Sequence, residues 1–295
     1  MEQPVRNTRK VFQRISPDRA MDLHLHTQWS QDNLDGPAMA EYIPLAEKFN
    51  LHIGFADHFE LLYYEHPNRR QKYGKWRLTP DTIDQYLEEV DSLKEHYPFV
   101  SSGLEIGFSS SISRQGRIRD FIDDYRNDFD LFLGGIHEIE DFHAVVMRQD
   151  LEILIEKYGS FESVVEKYFD LEEAMVQSQI FDAIAHPDVI FRFLNPQHDE
   201  QVLKYRQNTR IFQIGELCQE TGTMMEVNLS GYRFAWGDSL PSLDKIHHLL
   251  ASGVSFIVGS DSHSLTDLTQ SILRIRKINN LIREIDEKPR MYHVF

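Results

Sequence analysis

Asp22-Leu23-His24-Leu25-His26 is the stretch on which the reading of this chain turns. Leu23 and Leu25 alternate with Asp22, His24 and His26, the period-two pattern of a β-strand, and residues two apart on a strand face the same side. His24 and His26 can therefore grip one metal ion together. Asp32 follows in the next loop, six residues after His26.

Outward from this stretch, short apolar runs read as strands at 21–26, 52–58, 100–108, 131–137, 181–186, 223–228 and 255–261. Helix-period segments fall between them at about 37–50, 81–96, 116–127, 205–221 and 241–251, and a final helix spans 264–284. The segment 149–179 reads as a longer helical insertion, with Leu151, Leu154, Ile155 and Tyr158 on one face. Strands alternating with helices predict a parallel α/β fold. Seven β-α units in a row suggest a closed or nearly closed TIM-barrel-like barrel, whose catalytic residues sit at the C-terminal strand ends. A doubly wound open sheet competes, because periodicity alone does not separate the two. No repeat or Pro/Gly-rich linker interrupts the pattern, so residues 21–295 read as one domain behind a polar arm at 1–20.

The strand ends are unusual. The second ends Ala56-Asp57-His58 and the third carries Gly103-Leu104-Glu105. The fourth ends Gly134-Gly135-Ile136-His137, the fifth Ala185-His186-Pro187, and the seventh Gly259-Ser260-Asp261-Ser262-His263. A lone strand-end histidine is ordinarily a hydrogen-bonded structural residue. Six of seven strands with a His, Asp or Glu at the same end are not explained that way. Imidazole suits zinc, iron and manganese, and carboxylates add anionic oxygens that can bridge. The nine candidates, His24, His26, Asp32, His58, Glu105, His137, His186, Asp261 and His263, exceed the needs of one ion. The remaining histidines, His52, His66, His96, His143, His198, His247, His248 and His293, read as structural or solvated. Of these, His143 follows the fourth strand closely enough to serve the site as a proton donor.

Charge agrees with this reading. The chain has 31 basic and 47 acidic residues among 295, a net charge of −16. That balance disfavours binding to polynucleotide backbone or anionic membrane, and an anionic substrate needs a local positive field. Three carboxylates among the nine candidates carry −3, so two or three divalent ions leave the pocket positive. Cys218 is the lone cysteine, a buried filler that excludes an internal disulfide and suits a reducing cytosol. The first twenty residues lack the apolar core of a secretory signal, and no apolar run is long enough to span a bilayer. A cytoplasmic location is expected.

The series DLHLHT, ADH, GLE, GGIH, AHPD and GSDSH resembles, in order and spacing, the polymerase and histidinol phosphatase (PHP) family. Asp32, the AHPDVI stretch and Glu226-Val-Asn-Leu-Ser-Gly-Tyr-Arg233 are similar to its histidinol-phosphatase branch. The resemblance covers about residues 21–265 and implies a distorted seven-stranded (β/α)7 barrel. It also implies three ions of zinc, manganese or iron. His24, His26, Glu105 and Asp261 would hold the first, Glu105, His137 and His186 the second, and Asp32, His58 and His263 the third. The chain departs from the family in its N-terminal arm, its long insertion, and Gly107, where that branch often has an acidic residue.

The activity so implied is hydrolysis of L-histidinol phosphate, with water acidified by the ions attacking phosphorus. Arg233 is the first candidate for a phosphate clamp and Arg192 the second, since a guanidinium fork matches phosphate geometry. His143 or Asp57 is placed to protonate the leaving alkoxide. One rival is a PHP phosphoesterase acting on nucleotides or another small ester; long nucleic acid is disfavoured by the acidic charge. An amidohydrolase would show a bridging lysine where this chain has His137. A metal-binding barrel without turnover is the remaining alternative.

Overall fold

The computed structural model describes residues 15–16, 18–60, 77–139, 143–194, 205 and 208–286, without the side chains of 143 and 286. Most of the expected arm lies outside them, as do His66, His198 and His293. The strands are β1 (Ala20–Leu25), β2 (Leu51–His58), β3 (Val100–Gly107), β4 (Leu131–Gly135), β5 (Glu138–Ile139), β6 (His143–Ala144), β7 (Ala183–Ile184), β8 (Met224–Asn228) and β9 (Phe256–Gly259). The helices are α1 (Ile43–Lys48), α2 (Ile83–His96), α3 (Ile112–Tyr125), α4 (Arg148–Tyr158), α5 (Phe161–Ser178), α6 (Arg210–Thr221), α7 (Leu243–Ala251) and α8 (Leu265–Asp286).

Seven strands form one all-parallel sheet in the order β1-β2-β3-β4-β7-β8-β9, while β5 and β6 make a separate antiparallel hairpin. Every residue of β1, β3, β4, β8 and β9 is buried, as expected of parallel strands covered on both faces. The ring closes at one end only. A parallel bridge pairs Leu25 with Ser262, supported by His26 N–H to Ser262 O at 3.0 Å and Asp261 N–H to His24 O at 2.8 Å. At the other end of this seam the backbone of Met21 turns to α8 instead: Asn279 Oδ1 accepts its N–H and Asn279 Nδ2 donates to its C=O, both at 2.9 Å. A side chain thus supplies the pairing that strand β9 does not, and both backbone groups of Met21 are satisfied. The barrel is nearly closed, and its closure lies at the end where the histidines gather.

Two segments differ from the sequence reading. The insertion expected as one helical stretch is two helices, because Gly159 ends α4 with φ of 82° and Ser160 caps α5 by accepting from Ser163 N–H at 3.1 Å. The fifth barrel strand, expected over 181–186, is regular only at Ala183–Ile184. It stops where His186 takes φ of 29°, which turns the chain out of the sheet. Among the described residues no helix is long and apolar enough to cross a membrane.

Candidate metal centre

Seven of the nine candidate ligands sit on or just past the C-terminal ends of β1, β2, β3, β4, β7 and β9, and Asp32 and His263 come from the loops after β1 and β9. The structure brings all nine together. His24 and His26 project from one face of β1, their Nε2 atoms 3.0 Å apart. His26 Nε2 is 3.2 Å from Asp261 Oδ1, and His24 Nε2 is 3.2 Å from Glu105 Oε2. The other oxygen of Glu105 faces a second group, 2.9 Å from His137 Nε2 and 2.7 Å from His186 Nε2. Asp32 Oδ2 lies between His58 Nε2 at 3.5 Å and His263 Nε2 at 3.3 Å. His24, His26, Glu105 and His186 are buried, whereas the side chain of Asp32 is 49% exposed, so the third group marks the open side.

Donor atoms about 2.1 Å from a zinc ion at the corners of a tetrahedron stand about 3.4 Å apart. The separations above run from 2.7 to 3.5 Å, between electron-pair donors that have little reason to meet without a cation between them. The donor set fits divalent ions. The groups His24–His26–Asp261 and Glu105–His137–His186 each fall within ligand reach, His58 and His263 form a third with His26, and His58 and His137 a fourth with Glu60.

Electrostatics support the same reading. Burial by itself would neutralise His24 and His58, yet Glu226 and Glu105 facing the first, and Glu105 and Asp32 facing the second, raise both well above the usual histidine value. His137 responds likewise: burial lowers it, but Glu105 and Glu60 bring it to about 10. Burial would raise Glu105, but His58, His137 and His24 hold it well below the carboxylate range. His26 differs: burial, then His263 and His58 beside it, push it down to about 3. Protons on imidazoles are thus the cations that balance the carboxylates, and divalent ions are the natural replacement.

Behind the donors lies a layer of orienting groups that the sequence did not reveal. Glu226, fully buried on β8, places Oε1 2.7 Å from His24 Nδ1. Its Oε2 accepts the backbone N–H of His186 at 2.6 Å and Asn228 Nδ2 at 3.0 Å. His26 Nδ1 meets Ser30 Oγ at 2.9 Å, and Ser30 Oγ donates to Asp57 Oδ1 at 2.8 Å. Thr27 donates to both oxygens of Asp57, from its N–H at 2.6 Å and its hydroxyl at 2.9 Å. Asp57 therefore braces the loop after β1 from a fully buried position and offers no oxygen to a leaving group, which corrects its expected role as proton donor. Glu60 Oε1 is 3.0 Å from His137 Nδ1. Glu60 carries no local signal, since one acid after a strand-end histidine looks like any loop acid; Glu226 stood inside a quoted motif but had no assigned partner.

The other expected residues divide. Arg233 donates to the carbonyls of Ser260 at 2.8 Å and Asp261 at 2.5 Å. The arginine fork expected to clamp phosphate thus holds the strand-end peptide, and with it Asp261, a non-glycine residue at φ of 53°. Arg192 donates to Val146 O, and its guanidinium lies 4.5 Å from the Phe234 ring centre and 4.9 Å from that of Phe193. Its buried Nε has no hydrogen-bond partner among the described residues. Burial lowers its pKa to about 10, against the nearby charge of Asp261. His143 pairs by its backbone with Ile139 in the β5–β6 hairpin, and its side chain is outside the described atoms. His52 is buried against Ser101 Oγ at 2.8 Å, while His96, His247 and His248 are exposed, as read from the sequence. Cys218 is buried on α6.

No family model matches the chain. A Deinococcus radiodurans protein named "Probable histidinol-phosphatase" is 23% identical over 256 residues, covering 82% of this chain and 85% of that one. A Listeria monocytogenes structure assigned as a histidinol phosphatase superposes with a TM-score of 0.71 at 16% identity, over 86% of this chain and 99% of its own. The Lactococcus lactis histidinol phosphate phosphatase, solved with zinc, L-histidinol and phosphate, gives 0.68 at 19% identity, over 90% and 94%. In fold the chain is similar to the Listeria and Lactococcus histidinol phosphatase structures, and in sequence to the Deinococcus protein.

Proposed function

We propose that the chain is a metal-dependent phosphomonoesterase that hydrolyses L-histidinol phosphate to L-histidinol and phosphate, with three divalent ions in the centre. One observation carries the metal reading: Glu105 directs one oxygen to His24 and His58 and the other to His137 and His186, the posture of a bridging carboxylate. The substrate is supported by the Deinococcus relative and by the zinc, L-histidinol and phosphate in the Lactococcus structure. His24, His26, Glu105 and Asp261 would hold one ion, Glu105, His137 and His186 another, and Asp32, His58 and His263 a third at the open side. Zinc is favoured by the Lactococcus structure, and the donor set also accepts manganese or iron. Bound ions would neutralise phosphoryl oxygens and acidify water.

The protein's own groups do the rest. Glu226 and Ser30 fix the ring orientations of His24 and His26, so these donors are preorganised. Arg233 keeps Asp261 in its left-handed backbone conformation. Arg192, its guanidinium against the rings of Phe193 and Phe234 and its Nε without a hydrogen-bond partner among the described residues, is the cation assigned to the phosphate. His143 stays the proposed proton donor to the leaving alkoxide, and a cytoplasmic setting suits the substrate. The test is hydrolysis of L-histidinol phosphate beside nucleoside monophosphates and bisphosphates by zinc-loaded and manganese-loaded protein. Preference for a nucleotide would move the substrate to the nucleotide-acting branch, and no turnover across the panel would leave a metal-binding barrel without catalysis.

A further inference from the structure

Glu60 follows the end of β2 and is 4% exposed, although a carboxylate on a loop ordinarily faces water. Its Oε1 stands 3.0 Å from His137 Nδ1, while the Nε2 of the same ring faces Glu105 and, at 3.4 Å, His186 Nε2. A ring whose Nε2 points into a cluster of donors carries its hydrogen on Nδ1, and here that hydrogen is directed at Glu60. What makes room for the carboxylate is Gly107, the last residue of β3. A Cβ built there would stand 2.5 Å from Glu60 Oε2 and 3.2 Å from both Cδ and Oε1. The carboxyl group of Glu60 therefore occupies the volume that any side chain at position 107 would fill.

The same construction recurs across the barrel. Glu226 Oε1 is 2.7 Å from His24 Nδ1, and a Cβ on Gly259 would lie only 1.8 Å from that oxygen. In both places a glycine at the end of a neighbouring strand admits a carboxylate that grips the outer nitrogen of an inward-facing histidine. Resting on the metal-dependent reading of the centre, we infer that Glu60 is a positioning residue for His137, and that Gly107 is glycine because it houses Glu60. Glu60 acts through the imidazole and fixes which nitrogen it presents to the ions.

The test uses the full chain with Glu60→Ala, Glu60→Gln, Gly107→Ala, the double variant Glu60→Ala/Gly107→Ala, and Glu60→Ala/Gly107→Asp. Zinc affinity is read by competition with a chromogenic chelator, with bound zinc per chain, the metal-free melting temperature, and kcat and KM on L-histidinol phosphate alongside. Loss of an outer partner of a ligating histidine weakens metal binding or turnover on the order of ten- to a hundredfold. Glu60→Ala and Gly107→Ala are each expected to show that loss in zinc affinity and kcat. The double alanine variant should be no worse than Glu60→Ala alone, because its added methyl meets vacated space. Glu60→Gln, which retains an acceptor of the same reach, should lose less, and the aspartate moved to position 107 should recover most of the affinity. Zinc binding by Glu60→Ala equal to that of the parent overturns the inference while leaving the metal centre standing. Strictly additive losses in the double variant overturn it too, as does a lowered metal-free melting temperature with zinc affinity unchanged. A parent protein that binds no zinc overturns the reading of the centre itself, a separate and earlier failure.

Discussion

Glu226 Oε1 stands 2.7 Å from His24 Nδ1, both fully buried, and Gly259 on the adjacent strand leaves the space in which that oxygen lies. The second oxygen of Glu226 accepts the N–H of His186, so one carboxylate orients two candidate ligands from different strands. Its removal should be felt at both. Glu226→Ala is expected to lower zinc affinity and kcat by about ten- to a hundredfold, with Glu226→Gln intermediate because it keeps an acceptor for one partner only. Gly259→Ala drives a methyl into the carboxylate and should also lower the melting point, an overpacking cost of roughly 1–3 kcal/mol. Chelator competition and thermal melts read both; parent-like zinc affinity in Glu226→Ala would remove this carboxylate from the centre.

Arg233 and Arg192 should separate kinetically. Arg233 bonds the carbonyls of Ser260 and Asp261, and Asp261 sits at φ of 53°, a conformation that costs about 1–3 kcal/mol unless its surroundings enforce it. Arg233→Ala should therefore reduce zinc affinity together with kcat. Arg192 touches no candidate ligand directly, so Arg192→Ala should raise KM for the phosphorylated substrate and leave bound zinc unchanged. Unaltered KM in Arg192→Ala would exclude it from phosphate binding.

The seven barrel strands were legible because parallel strands buried on both faces are short apolar runs, and the structure shows strands at all seven stretches. Their ends were legible for a chemical reason: His24, His58, Glu105, His137, His186 and Asp261 are conspicuous when each closes an apolar run. What the sequence hid is lateral. Gln149–Gln179 has one helical periodicity throughout, and only the left-handed Gly159 and the Ser160 cap divide it. Asn279 completing the seam at Met21, Asp57 braced by Thr27 and Ser30, and Glu60 lying over Gly107 are contacts between distant residues, and no periodicity encodes them. Arg233 showed the right charge at the right strand end, yet its fork is turned to carbonyls that only the closed seam brings within reach.

Zinc affinity should depend strongly on pH, and the sign follows from the imidazoles. Burial opposes their charge, but the facing carboxylates win at His24, His58 and His137, with His137 at about 10. Zinc must displace these protons, so affinity rises with pH, and binding releases protons. Calorimetry in buffers of different ionisation heat should show proton release per zinc, and chelation with EDTA should abolish phosphatase activity until zinc or manganese is restored. In metal-free protein the same raised values stabilise the fold fully below the ordinary histidine pKa of 6.5, and that contribution fades as pH climbs toward about 10. Metal-loaded protein should lack that alkaline decline.

Asp188, just past His186, gives a pH effect of its own. Its Oδ2 accepts from Tyr205 OH at 2.6 Å, its Oδ1 is buried without a hydrogen-bond partner among the described residues, and Lys245 bonds Asn208 O at 2.8 Å. Burial raises its pKa to about 7, against the opposing pull of Tyr205 and Lys245. A carboxyl with a folded pKa above its unfolded value binds more protons in the native state, so its contribution is greatest below about pH 4 and declines as pH rises toward 7. One such group gives a slope of at most about 1.4 kcal/mol per pH unit across that window. Asp188→Asn keeps an acceptor for Tyr205 and removes the ionisation. The difference between parent and variant unfolding free energies, measured on metal-free protein from about pH 4 to about pH 8, should therefore grow steadily in favour of the variant. A difference flat with pH would mean that Asp188 ionises in the folded protein as readily as in the unfolded chain, and that its enclosure by Tyr205 and Lys245 costs the carboxylate nothing.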